Sequence, residues 1–210
     1  MPNNAPSQPI RLHSFALSGH AHRVRLFLSL LNLPHEVIEV DLRASEHKTP
    51  AFLAKNPIGQ VPVIEDGEVT LADSNAILVY LAGKYGDAAW LPRDPLGAAR
   101  VQRYLSLAAG ELARGPAAAR MIKLFGAPFD EALARATTAR VFGVLEGELA
   151  GKPFLDGEAP TIADVACYTY IAHAPEGGIS LADYPRLRAW LTRIEALPRF
   201  VPMAASPLPA

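Results

Sequence analysis

Asn56-Pro57-Ile58-Gly59-Gln60-Val61-Pro62-Val63-Ile64, followed by Leu71-Ala72-Asp73-Ser74-Asn75-Ala76-Ile77, writes a turn, a strand and a helix start in quick succession. Gly59 permits a tight turn, and residues 61–64 read as a short buried strand. Pro62 removes one backbone donor and makes Val61–Pro62 the candidate for a cis bond. Such a bond would turn the Val61 N–H and C=O away from the sheet ladder and toward the backbone of a short extended peptide. Asp66-Gly67 is a turn signal, and Asp73-Ser74 opens a helix with apolar Ala76, Ile77, Val79, Tyr80 and Leu81. The positive end of that helix invites a carboxylate, while the Asp73 side chain can accept a cationic amine.

Working outward, the apolar period changes in a legible order. Residues 11–15 can form a first strand, and 21–31 carry Val24, Phe27, Leu28 and Leu31 at helical spacing. Pro34 ends that helix, 35–41 read as a second strand, and a polar turn at 44–47 leads to a short helix at 49–55. The strands at 61–64 and 69–71 and the helix at 74–85 complete a β-α-β-α-β-β-α order, in which a right-handed crossover makes the first two strands parallel. From residue 96 onward strand signals give way to Ala-, Leu- and Arg-rich stretches, predicting helices at 96–114, 129–150, 162–173 and 185–196 with a turn of helix after Pro198. The expected division is a flexible tail (1–9), an α/β domain (10–86), a Pro-marked linker (87–95), an all-helical domain (96–203) and a second tail (204–210).

Composition excludes more than it specifies. The 210 residues can bury a sizeable core, and a net charge of −1 gives no reason to expect nucleic acid or an anionic membrane as partner. The single cysteine, Cys167, excludes an internal disulfide and a multi-thiolate zinc site, and favours a reducing, cytoplasmic setting. MPNNAPSQP lacks the basic start and apolar run of a signal peptide, and no run reaches the roughly 20 apolar residues of a membrane span.

Three segments carry a resemblance: Asn56 to Pro62, Asp73-Ser74-Asn75-Ala76-Ile77, and Thr161-Ile162-Ala163-Asp164, in family order and spacing. With them the chain resembles the cytosolic glutathione S-transferases, and within these a bacterial, serine-type member with a phi-, zeta- or theta-like first domain. The resemblance implies an α/β thioredoxin-like N-terminal domain followed by an all-α C-terminal helical bundle. It implies conjugation of the glutathione thiolate to an electrophilic, mostly apolar small molecule, with glutathione as co-substrate, no cofactor, no metal and a homodimer. The carboxylate, amine and peptide backbone read from the opening segments suit the γ-glutamyl-cysteinyl part of glutathione.

The resemblance also assigns roles. In the serine-using classes a serine stands five residues ahead of an Arg-Val pair, the place of Ser18 before Arg23-Val24. A hydroxyl donating to the sulfur at a helix N-terminus lowers a thiol pKa that is otherwise about 8.5. Serine there is equally suited to cap the helix. His47 and Lys48 take the place of a His-Lys pair that faces the glycine carboxylate, and Gln60, Val61, Pro62, Asp73 and Ser74 complete the glutathione-binding set. His20 and His22, two apart, cannot share a helix face and so are no metal pair; His20 could approach the thiol or the second substrate, or be a partly exposed polar residue near the helix start. Arg23 is expected to be solvated or salt-bridged, Thr161 to Asp164 to form a capping box, and Cys167 to be core. Tyr104, Met121, Phe125, Tyr168 and His173 could line the second-substrate wall, but aromatics and methionines at helical spacing are usually core, so none of them is selected. Two alternatives stand beside conjugation: glutathione-dependent peroxide or disulfide reduction on the same scaffold, and a non-catalytic protein-binding module. The first domain has no cysteine for a protein mixed disulfide, and a module need not keep Ser18, Gln60, Asp73 and Ser74 together.

Overall fold

The computed structural model describes residues 5–206, so the outer parts of both expected tails, 1–4 and 207–210, lie outside the described residues. The first half runs β1 (Ile10–Ser14), α1 (Gly19–Leu30), β2 (His35–Glu39), a 3-10 turn (Glu46–Lys48), α2 (Pro50–Leu53), β3 (Val63–Asp66), β4 (Val69–Ala72) and α3 (Ser74–Tyr85). The strands form one sheet in the order β2-β1-β3-β4. β1 pairs parallel with β2 (Ile10 opposite His35), as expected of a helical crossover, and antiparallel with β3 (Leu12 opposite Ile64), which pairs antiparallel with β4. β3 begins two residues later than the sequence predicts, because Pro62 has no N–H for a ladder; the Val61–Pro62 bond before it is cis.

The second half is helical: α4 (Pro95–Ala109), a π-helical turn (Ala113–Ala117), α5 (Ala118–Phe125), α6 (Glu131–Glu148), α7 (Ile162–Ala172), a 3-10 turn (Ala174–Gly177) and α8 (Pro185–Glu195). The predicted 96–114 helix is therefore wrong at its end. Gly115-Pro116 reads as a stop, yet the chain widens into the π turn around Pro116 and continues as α5, which the sequence reading omitted. A π turn absorbs the missing donor and the ring's clash with the preceding turn. The turn of helix expected after Pro198 is a turn at 198–199.

One core runs through both halves. Ile10 and Leu12 of β1, Phe27 and Leu28 of α1, and Ile77, Leu78 and Leu81 of α3 are fully buried and continuous with Val101, Leu105, Cys167 and Ile171 of the helical part. α1 packs on the sheet, on α3 and on α7, which accounts for apolar residues around most of its circumference. α7 is buried along residues 162–171. Beyond α8 the chain returns to α1: Val201 O accepts from His22, Pro202 O from Arg25, and Arg199 O from the Ser29 hydroxyl. Part of the expected second tail is held as well, since the Ser206 amide donates to Glu176.

α7 starts with the predicted capping box: the Ala163 amide donates to Thr161 Oγ1 and the Thr161 amide to Asp164 Oδ2. Asp164, 1% exposed, also accepts from the Leu155 amide and from Trp190 Nε1 on α8, both at 2.9 Å. Burial pushes its carboxyl pKa up against those bonds. Asp164→Ala is expected to cost about 3 kcal/mol or more, because three buried N–H groups lose their acceptor together. Urea unfolding measures this, with Asp164→Asn intermediate; a loss under about 1 kcal/mol for the alanine variant would show that the box is dispensable.

Candidate functional site

The site begins where α1 does. Ser18 is the N-cap of α1, in an extended conformation, with its Oγ accepting the Ala21 amide at 3.2 Å. The next residue has to be glycine: a Cβ on Gly19 would lie 2.6 Å from the Tyr170 ring of α7. The turn ahead of Ser18 is held from the helical half, since Arg120 of α5 donates to Leu17 O at 2.8 Å. Arg120 is itself fixed by a buried ion pair with Glu176, 2.5 Å from its Nε, and Glu176 also accepts from the His173 ring.

The second wall is the loop ahead of β3. The Asn56 side chain donates to Gln60 O (2.8 Å) and accepts from the Ile58 amide (3.1 Å), closing the loop on itself. Gly59 sits at φ +66°, with the His47 carbonyl 2.7 Å from where a Cβ would stand, so only glycine fits. The third wall is the start of α3, where Asp73, at φ 71°, caps the Asn75 and Ala76 amides with one carboxylate oxygen at 2.9 Å each. Between these walls lies a cleft of about 260 Å³ bordered by His20, Asn56, Ile58, Gln60, Val61, Pro62, Ala72, Asp73 and Ser74.

Six expected site residues, His20, Gln60, Val61, Pro62, Asp73 and Ser74, thus come together at one cleft. Ser18 lies at the helix cap beside it rather than on its border. His47 and Lys48 sit on the 3-10 turn behind the loop, where the Lys48 ammonium donates to Ile58 O and Gly59 O at 3.3 and 3.2 Å. Asn56, Ile58 and Ala72 border the cleft without having been singled out; Asn before Pro57 in a Gly-containing turn was the available signal for the first.

Arg23 corrects the reading most. It is neither solvated nor salt-bridged: it is 1% exposed, and its NH1 donates to Ser74 Oγ (2.8 Å) and Asn75 Oδ1 (2.9 Å) and lies 3.3 Å from His20 Nδ1. Helical position made it look like a surface residue, but the start of α3 covers it. Of the second-substrate candidates, Tyr104 and Tyr168 follow the core reading, their hydroxyls spent on Glu148 and Leu155 O, and on Glu195. His173 is bound to Glu176, whereas Met121 and Phe125 are exposed.

Burial dominates the electrostatics. It pushes His20 down to about 3, assisted by the Arg23 charge and opposed by Asp73. It pushes His22 down to about 4; that ring lies between Thr169 Oγ1 (2.9 Å) and Val201 O (2.8 Å) and links α1 to α7 and the C-terminal segment. Both imidazoles are neutral at pH 7.

Family models for the glutathione S-transferase N-terminal domain and C-terminal domain match residues 8–83 and 128–198. The chain is 34% identical over 198 residues to glutathione S-transferase theta-1 of Bos taurus, covering 89% of this chain and 82% of that protein. A glutathione S-transferase structure from Pseudomonas fluorescens superposes with a TM-score of 0.87 at 34% identity, covering 94% of this chain and all of the other. A glutathione transferase homolog of Drosophila mojavensis, solved with bound glutathione, superposes with a TM-score of 0.82 at 30% identity, covering 90% of this chain and 89% of the other.

The buried histidines set a pH dependence of stability. In the unfolded chain each titrates near 6.5, whereas the folded chain refuses the His22 proton until about pH 4. Stability is therefore complete above pH 6.5 and falls as pH drops from 6.5 toward 4, at up to about 1.4 kcal/mol per pH unit per histidine. The His22 interval alone amounts to about 3 kcal/mol. Urea midpoints taken at steps across this range are expected to show the decline, and His22→Gln, which keeps a donor and an acceptor but cannot ionise, to make it shallower. An unchanged slope in the variant would remove His22 from the explanation.

Proposed function

The chain belongs to the glutathione S-transferase family, and on that premise we propose that its cleft binds glutathione extended between the start of α3 and the start of α1. The chain is a glutathione transferase; what the cleft adds is an assignment of parts. The γ-glutamyl carboxylate meets Ser74 and the positive end of α3, and the free Asp73 carboxylate oxygen takes the amine. The cysteinyl backbone lies along Val61, outside the ladder that starts at Val63. The glycine carboxylate lies toward Gln60, with Lys48 and His47 behind the loop supplying positive charge and a donor.

This orientation brings the thiol to the start of α1. The Ser18 oxygen accepts from Ala21, which leaves its own proton to donate to sulfur while the helix dipole favours the negative charge. The thiolate then attacks the electrophile: a carbon–sulfur bond forms, and the leaving group departs with the electron pair of the bond that breaks. Met121 and Phe125, 40% and 48% exposed, offer apolar surface to such a substrate. The observation that carries the reading is the convergence of His20, Gln60, Val61, Asp73 and Ser74 on one cleft at two helix starts. Reduction through a protein thiol has no support, since Cys167 is buried and its thiol is pushed up to about 12.

Glutathione at about 100 times its dissociation constant is expected to add roughly 2.7 kcal/mol to stability, seen as a raised melting temperature. Ser18→Asp keeps a capping oxygen but sets a negative charge where the thiolate forms. It is expected to retain the fold while cutting conjugation at pH 7 at least tenfold, or about 1.4 kcal/mol of transition-state stabilisation. A melt indifferent to millimolar glutathione would remove the binding assignment, and full activity in Ser18→Asp would remove the serine from the sulfur.

The reading extends to a cytoplasmic homodimer. Ile58 projects from the cleft loop at 70% exposure, and an apolar groove of about 390 Å³ lined by Val79, Leu91, Val101 and Leu105 lies between α3 and α4. A two-fold axis lets the projection of each copy meet the groove of the other. Sedimentation at micromolar concentration is expected to give a dimer, weakened by Ile58→Glu; a monomeric wild type would refute the arrangement.

A further inference from the structure

Arg23 is a buried guanidinium without a carboxylate. Its NH1 serves Ser74, Asn75 and His20, while Nε and NH2 are buried with no partner among the described residues. A charge buried this way costs stability, so its use has to be sought in the cleft that its neighbours border. We infer that His20 shares the glutathione sulfur with Ser18, donating its Nε2–H to the forming thiolate, and that Arg23 is the positioning residue that fixes this donor form of the ring. The inference rests on the binding mode proposed above and adds a second donor to it.

The chemistry of the contacts leaves little freedom. A guanidinium has only donors and stays protonated. The two protons of Arg23 NH1 go to the shorter contacts with Ser74 Oγ and Asn75 Oδ1, but a cation 3.3 Å from His20 Nδ1 favours a lone pair there and so the proton of the neutral ring on Nε2. Ser74 Oγ, which accepts from Arg23 NH1, lies 3.3 Å from Nδ1 and can give it its proton in the free protein. Tyr170 of α7 closes the other side, with ring centroids 5.1 Å apart and edge to face. The groups around the ring are Arg23 on its own helix, Asp73 and Ser74 at the start of α3, and Tyr170 on α7, whose phenol burial keeps protonated. None of them turns the ring into an imidazolium, and Nε2 has no partner among the described residues. A neutral N–H on the cleft border with a fixed cation one helical turn behind it is suited to an anion that develops in front of it.

Two measurements test this. In protein carrying nitrogen-15 histidine and no ligand, the His20 ring is expected to show a protonated Nε2 and an unprotonated Nδ1, and Arg23→Met to mix the two tautomers. In the glutathione complex, an ultraviolet titration of the thiolate is expected to move up by about one pH unit in His20→Phe, with about tenfold lower kcat at pH 7 and little change in KM for glutathione. Arg23→Met should shift the titration the same way, and His20→Gln, whose amide can donate, should recover part of the loss. S-methylglutathione, which has no thiol to ionise, should bind His20→Phe as it binds the wild type. A wild-type ring protonated on Nδ1 overturns the inference, as does an unmoved titration in His20→Phe. Equal loss of affinity for both ligands with an unmoved titration places His20 on the carboxylate instead and overturns it too. A wild type that fails to bind glutathione would count against the binding mode, and the tautomer measurement on the free protein would still stand apart from it.

Discussion

Helix α1 has almost no face to spare, and the site follows from that constraint. One side lies on the sheet, another on α3 and another on α7, so a helix that belongs by chain order to the first domain is also a core element of the second. Its apolar residues supply the adhesion: burying a side chain such as Phe27 or Leu28 is worth roughly 1.5–3 kcal/mol. Because the two halves share this helix, its first turn cannot tilt without disturbing both. A hydroxyl or ring at that turn is therefore aimed by the whole molecule.

Enclosing a helix carries an obligation toward its polar side chains, and each discharge of it ties two elements together. His22 satisfies both ring nitrogens by joining α7 to the C-terminal segment. Arg23 reaches across to the first turn of α3. Arg120 arrives from the helical half to hold the turn ahead of Ser18. Asp164 does for α7 and α8 what these do for α1. Buried polar groups are expensive when unpaired and directional when paired, so they fix orientation where apolar contacts fix only proximity. Among the described residues of α1 this leaves Nε and NH2 of Arg23 and Nε of Arg25 buried without a partner.

What the sequence made legible was what local chemistry writes. The element order of the first half, the glycine turn at Gly59, the helix start at Asp73-Ser74 and the box at Thr161 to Asp164 depend on neighbours a few residues away, and each is found where its residues predict it. The misreadings depend on distant neighbours. Arg23 looks like a surface residue until α3 covers it. Gly115-Pro116 looks like a stop until a π turn carries the helix past it. Ser18 is found in the capping role its residue type suits, and the proposed sulfur donor would require the same hydroxyl at the same helix start.

The two halves of the site also differ in the kind of information that specifies them. The cleft of the first domain is built from backbone geometry, two helix starts and a few hydrogen-bonding side chains, all of which have sequence signatures and suit the charged peptide proposed for it. The exposed apolar residues Met121 and Phe125 on α5 have no such signature. They attract by burial and dispersion, which are non-directional and tolerate many shapes. On the proposed binding mode, a site divided in this way would hold glutathione by direction and admit the electrophile by contact area, leaving selection of the electrophile to the reactivity of a thiolate at the start of α1.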